Sequence, residues 1–445
     1  MARTTRTCSL AAALAAVAVW TTPAAASTRL SYQPSSATTF VGARAAELSG
    51  DPRRAAMLYA MLAQSDPTNG MVADRAISQA ISAGDTALAL RLARGRPAVA
   101  LGLDARMLLT ADRLARGKTA DALSLLRSDS DSGTLSFLAP AIEAWAAAER
   151  RNPAALELIS RVPAGSIVAP YVTEHRALIL LRLKRSADAS PLIERALAQA
   201  GGRESRLRLA FADGLFRAGD KAAAAKLLSG SDPVLARARG LIERNKRPGG
   251  GIEDPATAFA ELLSIIALDL SRADARSLPI AMVQVARVAD PQHPNLPLLL
   301  GLLLGESKRQ DDALAVLRRL PGDSLFADAA RDTEVRILIR DGRLDEAVAR
   351  AQAFVSLPDA TADDWSRLGD VLDELERHGP AAEAFARAIA LTEAGQPGPK
   401  PWQLYMLRGA MLERADRWPE AKQALARARA LAPDNPLVLN LLGYA

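Results

Sequence analysis

Small residues recur along this chain at a nearly constant interval, and that interval limits the folds open to it. Ala313, Ala347 and Ala381 are separated by 34 and 34 residues, and Ala421 follows after 40, with the surplus in the loop-like stretch GQPGPKP. A second set, Ala267, Gly301, Val335, Gly369, Gly409 and Gly443, steps by 34, 34, 34, 40 and 34. In the first half, Ala55, Ala89, Ala122, Ala155, Ala189 and Ala224 are spaced by 34, 33, 33, 34 and 35. A fixed period of this size marks stacked supersecondary units, none of which can bury its apolar face alone. Composition says which kind: 49% of residues are hydrophobic but only 4% are aromatic, and Ala and Leu carry the apolar share. Those two favour helix, whereas β-branched and aromatic residues favour strand, so the chain is expected to be all-α.

Turn signals precede most of the N-terminal markers (Gly50-Asp51, Gly84-Asp85, Gly117-Lys118, Gly219-Asp220), and Pro67, Pro291 and Pro433 fall where a second helix should end. In WSRLGDVLDELERHGPAAEAFARAIAL the residues Trp365, Leu368, Gly369, Ala381, Phe385 and Ala388 stand at the main positions of a repeat motif. YMLRGAMLERADRWPEAKQALARARALAP places Tyr405, Gly409, Ala421, Ala428 and Pro433 likewise. From about residue 38 onward the chain resembles the tetratricopeptide repeat, a helix–turn–helix unit. The resemblance implies an α-solenoid of about twelve repeats forming a right-handed superhelix, the last repeat incomplete. Its packing residues are Ala313, Ala347, Gly369, Ala381, Phe385, Gly409 and Ala421. There small side chains let two helix axes approach, and Phe385 is expected to fill the groove toward the next repeat. Each repeat should touch only its neighbours. Residues 136–200 depart from the pattern: Glu143 stands where a small residue is usual and Lys184 where a turn glycine is usual.

Residues 1–26 have the layout of a secretory signal peptide. A basic start, MARTTRTC, precedes the apolar run SLAAALAAVAVW and a small-residue site for cleavage between Ala26 and Ser27. Cys8, the only cysteine, lies before that run, so neither a lipid-bearing cysteine nor a disulfide is expected in the mature chain. A flexible segment is expected over 27–37 and a first sub-array of about six repeats over 38–230. An extra helix with a Gly/Pro-rich flexible joint should occupy 231–254, and a second sub-array 255–445. The joint, RNKRPGGGIEDP, lacks the strand before it and the Lys-Ser/Thr pair after it that a phosphate-cradling loop needs. The stretch NPLVLNLLGYA reads as the first helix of a further repeat, expected either to continue beyond residue 445 or to be covered by a partner.

The net charge of +6 falls to +4 when Arg3 and Arg6 of the leader are set aside (6 − 2). Basic residues are interleaved with acids and aromatics are scarce, which argues against nucleic-acid binding. His175, His293 and His378 lie in three different repeats, with no metal-ligand spacing on their own helices. No hydrolase, metalloprotease or nucleotide-binding signature occurs. No catalytic residue, metal or cofactor is therefore expected, and the function left is protein binding. In tetratricopeptide arrays the first helices line a concave groove for a partner peptide or helix. Carried over repeat by repeat, the resemblance places Leu298 and Leu302 in one unit and Asp332, Arg336 and Arg340 in the next. Ser366, Asp370 and Asp373 follow, then Met406, Glu413 and Arg414.

The segment 252–445 is similar to proteobacterial multi-repeat envelope proteins, some of them outer-membrane adaptors that bring substrates to periplasmic C-terminal processing proteases. This implies a scaffold or adaptor in the periplasm of a Gram-negative bacterium, with no transmembrane segment of its own and outer-membrane association only through a partner. The other reading is the repeat portion of a polysaccharide export machine, or of an enzyme whose catalytic part lies beyond residue 445.

Overall fold

The computed structural model describes residues 35–97, 100–128, 135–230, 232–273 and 277–444. The expected leader, with Cys8 and the Ala26/Ser27 site, lies outside them. The first half comprises α1 (Ser36–Leu48), α2 (Pro52–Ser65), α3 (Gly70–Ala83), α4 (Thr86–Arg94), α5 (Leu103–Ala115) and α6 (Thr119–Arg127). It continues with α7 (Ala139–Glu149), α8 (Ala155–Ile159), α9 (Val172–Arg182), α10 (Ser186–Gln199), α11 (Glu204–Ala218), α12 (Lys221–Leu227) and α13 (Pro233–Glu243). The second half carries α14 (Pro255–Arg272), α15 (Ser277–Ala289), α16 (Leu296–Glu306), α17 (Gln310–Leu317), α18 (Ala327–Arg340) and α19 (Leu344–Val355). The last helices are α20 (Ala362–Glu374), α21 (His378–Glu393), α22 (Pro401–Arg414), α23 (Trp418–Leu431) and α24 (Pro436–Tyr444). No strand occurs among the described residues. Consecutive helices pair, α1 with α2 through α11 with α12 and α14 with α15 through α22 with α23, and each pair leans on the next. The protein is an α-solenoid.

The periodic residues are where the pairs close. Ala55, Ala89, Ala122, Ala155, Ala189, Ala224, Ala313, Ala347, Ala381 and Ala421 all lie on second helices, and all are wholly buried. On the first helices the spacing matters for a different reason. A Cβ on Gly369 would lie 2.7 Å from the Phe385 ring, one on Gly301 2.6 Å from Leu317, and one on Gly409 2.7 Å from Leu425. Those distances are too short for real contacts, so the glycines admit a large apolar side chain from the partner helix. Phe385 thus lies over Gly369 within its own hairpin.

The turn between paired helices repeats too. Gly50, Gly84, Gly117, Arg151, Lys184, Gly219, Lys308, Gly342, Glu376 and Asp416 all have φ between +55° and +102°. In these ten hairpins a left-handed residue ends the first helix, and glycine does so without strain. Where Arg151 and Lys184 stand instead the geometry is kept, which fixes the repeat register across residues 136–200.

The expectation that each repeat touches only its neighbours is overturned at α14 and α15. α14 packs on α5 and α7, and α15 packs on α3, α4 and α5. The hairpin lies along the first-helix face of the N-terminal pairs while also opening the C-terminal array. The cause is its composition. Ala258–Ala267 and Pro279–Ala286 are buried without interruption, so neither helix keeps a solvent face there. A helix apolar all round must be enclosed, and one layer of neighbours cannot enclose it.

The expected flexible joint is also corrected: residues 247–253 are strapped to α9 and α11. Asp213 on α11, wholly buried, accepts Nε and Nη2 of Arg247 at 2.6 and 2.7 Å and the Gly249 N–H at 3.1 Å. Arg206 donates to the Gly250 carbonyl at 2.6 Å, Arg217 to that of Ile252 at 2.9 Å and Arg182 to that of Glu253 at 3.2 Å. Gly249 and Gly250 have φ of +79° and +78°, and a Cβ on Gly251 would lie 1.9 Å from the Asp213 carboxylate. The glycine run is therefore a close-fitting strap.

Candidate protein-binding groove

The first helices α16, α18, α20 and α22 carry the residues expected in the groove, and the structure sorts them. Leu302, Arg336 and Arg340 meet around a cavity of about 220 Å³ between α16 and α18, closed by Gly305, Thr333 and Ile337. Gly305 makes room there, because a Cβ on it would lie 3.1 Å from Ile337. Leu298, one turn earlier, is buried in the packing of α16. Arg336 turns back to Asp332 at 2.9 Å. Asp332 in turn lies 3.5 Å from Arg367 of α20.

On α20, Ser366 is buried, whereas Asp370 faces outward. Asp373 is bridged by Arg414 of α22 at 2.7 Å and approached by His378 Nδ1 at 3.3 Å. Met406 and Glu413 are half-buried on α22. One strip thus runs from Leu302 through Arg336, Asp332 and Asp370 to Asp373 and Arg414. Within it Arg340, Asp370 and Glu413 have no ion-pair partner among the described residues, while Asp332, Arg336, Asp373 and Arg414 do. Asp370 keeps an open face yet sits between enclosing helices. That enclosure pushes its carboxyl up to about 7; Arg367 opposes the rise, and Asp332, Asp373 and Glu374 add to it.

Beneath this strip lies a buried ionic layer that sequence reasoning missed. Asp364, wholly buried, accepts from Arg367 at 2.8 Å and Arg331 at 3.1 Å, and its other role is to close the capping box of α20 with Thr361. Arg237 of α13 reaches Asp328 of α18 at 2.9 Å and donates to the Ser324 carbonyl at 3.2 Å. Glu334 is gripped by Arg318 and Arg350, each at 2.7 Å. Asp364–Arg331, Asp328–Arg237 and Glu334–Arg318 join residues of different repeats, which spacing along one helix does not reveal, whereas Asp364–Arg367 is an i, i+3 pair on α20 and Glu334–Arg350 closes within the α18–α19 hairpin. They fix the walls of the groove.

A second polar cluster lies where the α14–α15 hairpin meets α9 and α11. His175 Nδ1 accepts the Trp145 indole N–H at 2.9 Å, and burial lowers the ring's pKa to about 4. Glu174, its neighbour in sequence, points elsewhere and meets Arg203 at 3.2 Å; burial raises its carboxyl to about 7, against the pull of Arg203. Glu261 of α14 is met by Arg206 at 2.5 Å and His293 at 3.0 Å. Burial alone would raise that carboxyl, but the Arg206 guanidinium and the contact with His293 hold it well below the ordinary range. His175 and His293 are both buried, not surface groups. Nearby, the Tyr171 hydroxyl donates to Asp269. Among the described residues no group of three or more His, Cys, Asp or Glu is placed to hold a metal, and no helix is long and apolar enough to cross a membrane.

No family model and no curated protein matches the chain. Solved structures do resemble it. The Cut9–Hcn1 hetero-tetramer of APC/C is 14% identical over 91% of this chain and 88% of that one, with a TM-score of 0.34. Yeast Tom70 is 12% identical over 92% and 94%, with a TM-score of 0.33. The P58(IPK) TPR domain is 14% identical over 92% and 96%, with a TM-score of 0.21. Scores this low carry no argument about function, and the assignment to the α-solenoid class rests on the helix pairing described above.

Proposed function

We propose that the chain is a non-catalytic scaffold or adaptor, exported to the periplasm, that holds a segment of a partner protein in the groove of α16, α18, α20 and α22. Export rests on the leader-like residues 1–26. The single observation that supports the groove is its unpaired charge. Among the described residues, Asp370 lies near three other carboxylates with no ion-pair partner of its own, and Arg340 lies unpaired at a mixed cavity that Leu302, Ile337, Glu306 and Gln310 also line. A carboxylate crowded by others in this way gains most from a cationic side chain brought by a partner. The favoured ligand is an extended or helical segment with a basic residue against Asp370 and, about 20 Å away across two interhelix spacings, an apolar residue beside Leu302. Serving an envelope protease or an assembly complex is the role that fits such a groove in an exported chain.

The test is crosslinking in the native envelope, comparing the wild-type chain with Asp370→Arg and with Arg340→Asp. Partners captured by the wild type and lost from both variants, with helix content unchanged, support the reading. An identical set from all three chains, or none from any across a range of salt, would sink it. Export is checked separately by fractionation and N-terminal sequencing, which should give a periplasmic chain beginning at Ser27.

A further inference from the structure

The inner face of the N-terminal pairs is filled by the chain's own hairpin, α14–α15. The polar contacts that seat it join residues on the two sides of one turn. Asp213 holds Arg247, Arg206 holds Glu261, and Arg182 and Arg217 hold the carbonyls of Glu253 and Ile252. Farther out, Arg237 pairs with Asp328, Arg309 donates to the Ser82 carbonyl at 2.9 Å, and Arg53 meets Asp312 at 2.6 Å. The chain passes from one side to the other at residues 244–246. There the Asn245 and Lys246 N–H groups return to the carbonyls of Ile242 and Leu241, each at 2.8 Å, and Asn245 has φ +57°. Asn245 takes the left-handed conformation that closes a helix end, and this tight turn is the hinge of the connection.

A groove recognises the side chains laid in it and not the chain they belong to. We propose that the N-terminal array also accepts the α14–α15 hairpin of a second copy of this chain, so that two molecules exchange their C-terminal halves about Asn245. The reciprocal dimer re-forms every contact named above between copies and gives up only the turn at 244–246. Exchange of an identical element between protomers is a low-cost route to a dimer, and hinge-loop changes promote it. The short connection holds the hairpin at an effective concentration of about millimolar, so the closed monomer prevails at micromolar protein while the turn is intact. The same dimer presents two C-terminal grooves on one particle.

Changing the turn tests this on the full chain. Asn245→Pro forbids positive φ and removes the N–H that bonds to Ile242, whereas Asn245→Gly takes the same φ freely. By light scattering after gel filtration, Asn245→Pro should be a dimer with wild-type helix content and wild-type amide protection in α14 and α15. Asn245→Gly should remain a monomer. A monomeric Asn245→Pro chain, or a dimer whose α14–α15 amides have lost protection, overturns the proposal. A second measurement stands apart from the folding of that variant. Wild-type chain refolded from urea at high protein concentration should yield a dimer fraction that is missing on refolding at low concentration, and monomer alone at every concentration overturns the proposal.

Discussion

Glu174 and His175 are consecutive on α9, both buried, and perturbed in opposite directions, so their removal one at a time should reshape the pH dependence of stability. Glu174 titrates near 7 in the folded chain against an ordinary value of 4.5. As pH falls through 7 the folded state takes up this proton before the unfolded state does, and acidification stabilises. His175 titrates near 4 in the folded chain against 6.5. As pH falls through 6.5 the unfolded state takes up that proton while the folded state does not, and acidification destabilises. Each displacement is about 2.5 pH units, which at 1.36 kcal/mol per unit sets a ceiling of roughly 3 kcal/mol on either effect. By pH 5 the two contributions are about 2–3 kcal/mol each with opposite sign, so in the wild type they nearly cancel.

The perturbation is Glu174→Gln, which keeps the shape of the protonated carboxyl, set beside His175→Gln. Urea unfolding followed by circular dichroism at pH 8, 7, 6 and 5 gives the difference from wild type at each pH. Glu174→Gln should lose about 2–3 kcal/mol relative to wild type between pH 8 and 5. His175→Gln should gain about 2 kcal/mol over the same range. Asp370 also titrates near 7, but it is open to solvent, contributes less, and is common to all three chains. Profiles of both variants that run parallel to wild type would refute the reasoning.

Gly369→Leu drives a side chain into the Phe385 ring and Ala381→Leu overfills a wholly buried site, so each should lower the urea midpoint by an equivalent of roughly 1–3 kcal/mol. Unchanged thermal and denaturant midpoints in both would remove the packing assignment. Gly251→Ala sets a methyl against the Asp213 carboxylate, and hydrogen exchange should report lost protection in α11 and the start of α14, with α22 and α23 unaffected. Protection equal to wild type in α11 would contradict the close-fitting strap.

The repeat itself was legible in the sequence because a small side chain is required at one place in every hairpin. Ala55 through Ala421 and Gly301, Gly369 and Gly409 mark the pairing in the sequence itself. The register across 136–200 was not, because Arg151 and Lys184 hold the left-handed turn that glycine holds elsewhere, and residue type alone does not reveal φ. The glycine run at 249–251 was visible but misread. Its purpose depends on Asp213, 38 residues before Gly251, and no periodic rule links the two. The seated hairpin did leave a trace, since ELLSIIAL in α14 and LPIAMVQVA in α15 offer scarcely a polar face. Of the groove, Leu302, Arg336 and Arg340 line one cavity. The stabilising acids and arginines behind them, Asp364, Arg331 and Arg367, were invisible because charge on a helix looks the same whether it meets water or another repeat.

The hairpin in the N-terminal face also sets the order in which this molecule can be completed. A linear array can fold pair by pair in chain order, each pair needing only the one before it. Here α3, α5 and α7 lack their inner cover until α15, ending at Ala289, has been made. Until those residues have followed, an apolar surface waits uncovered, so chaperone dependence should concentrate in chains that end before about residue 290.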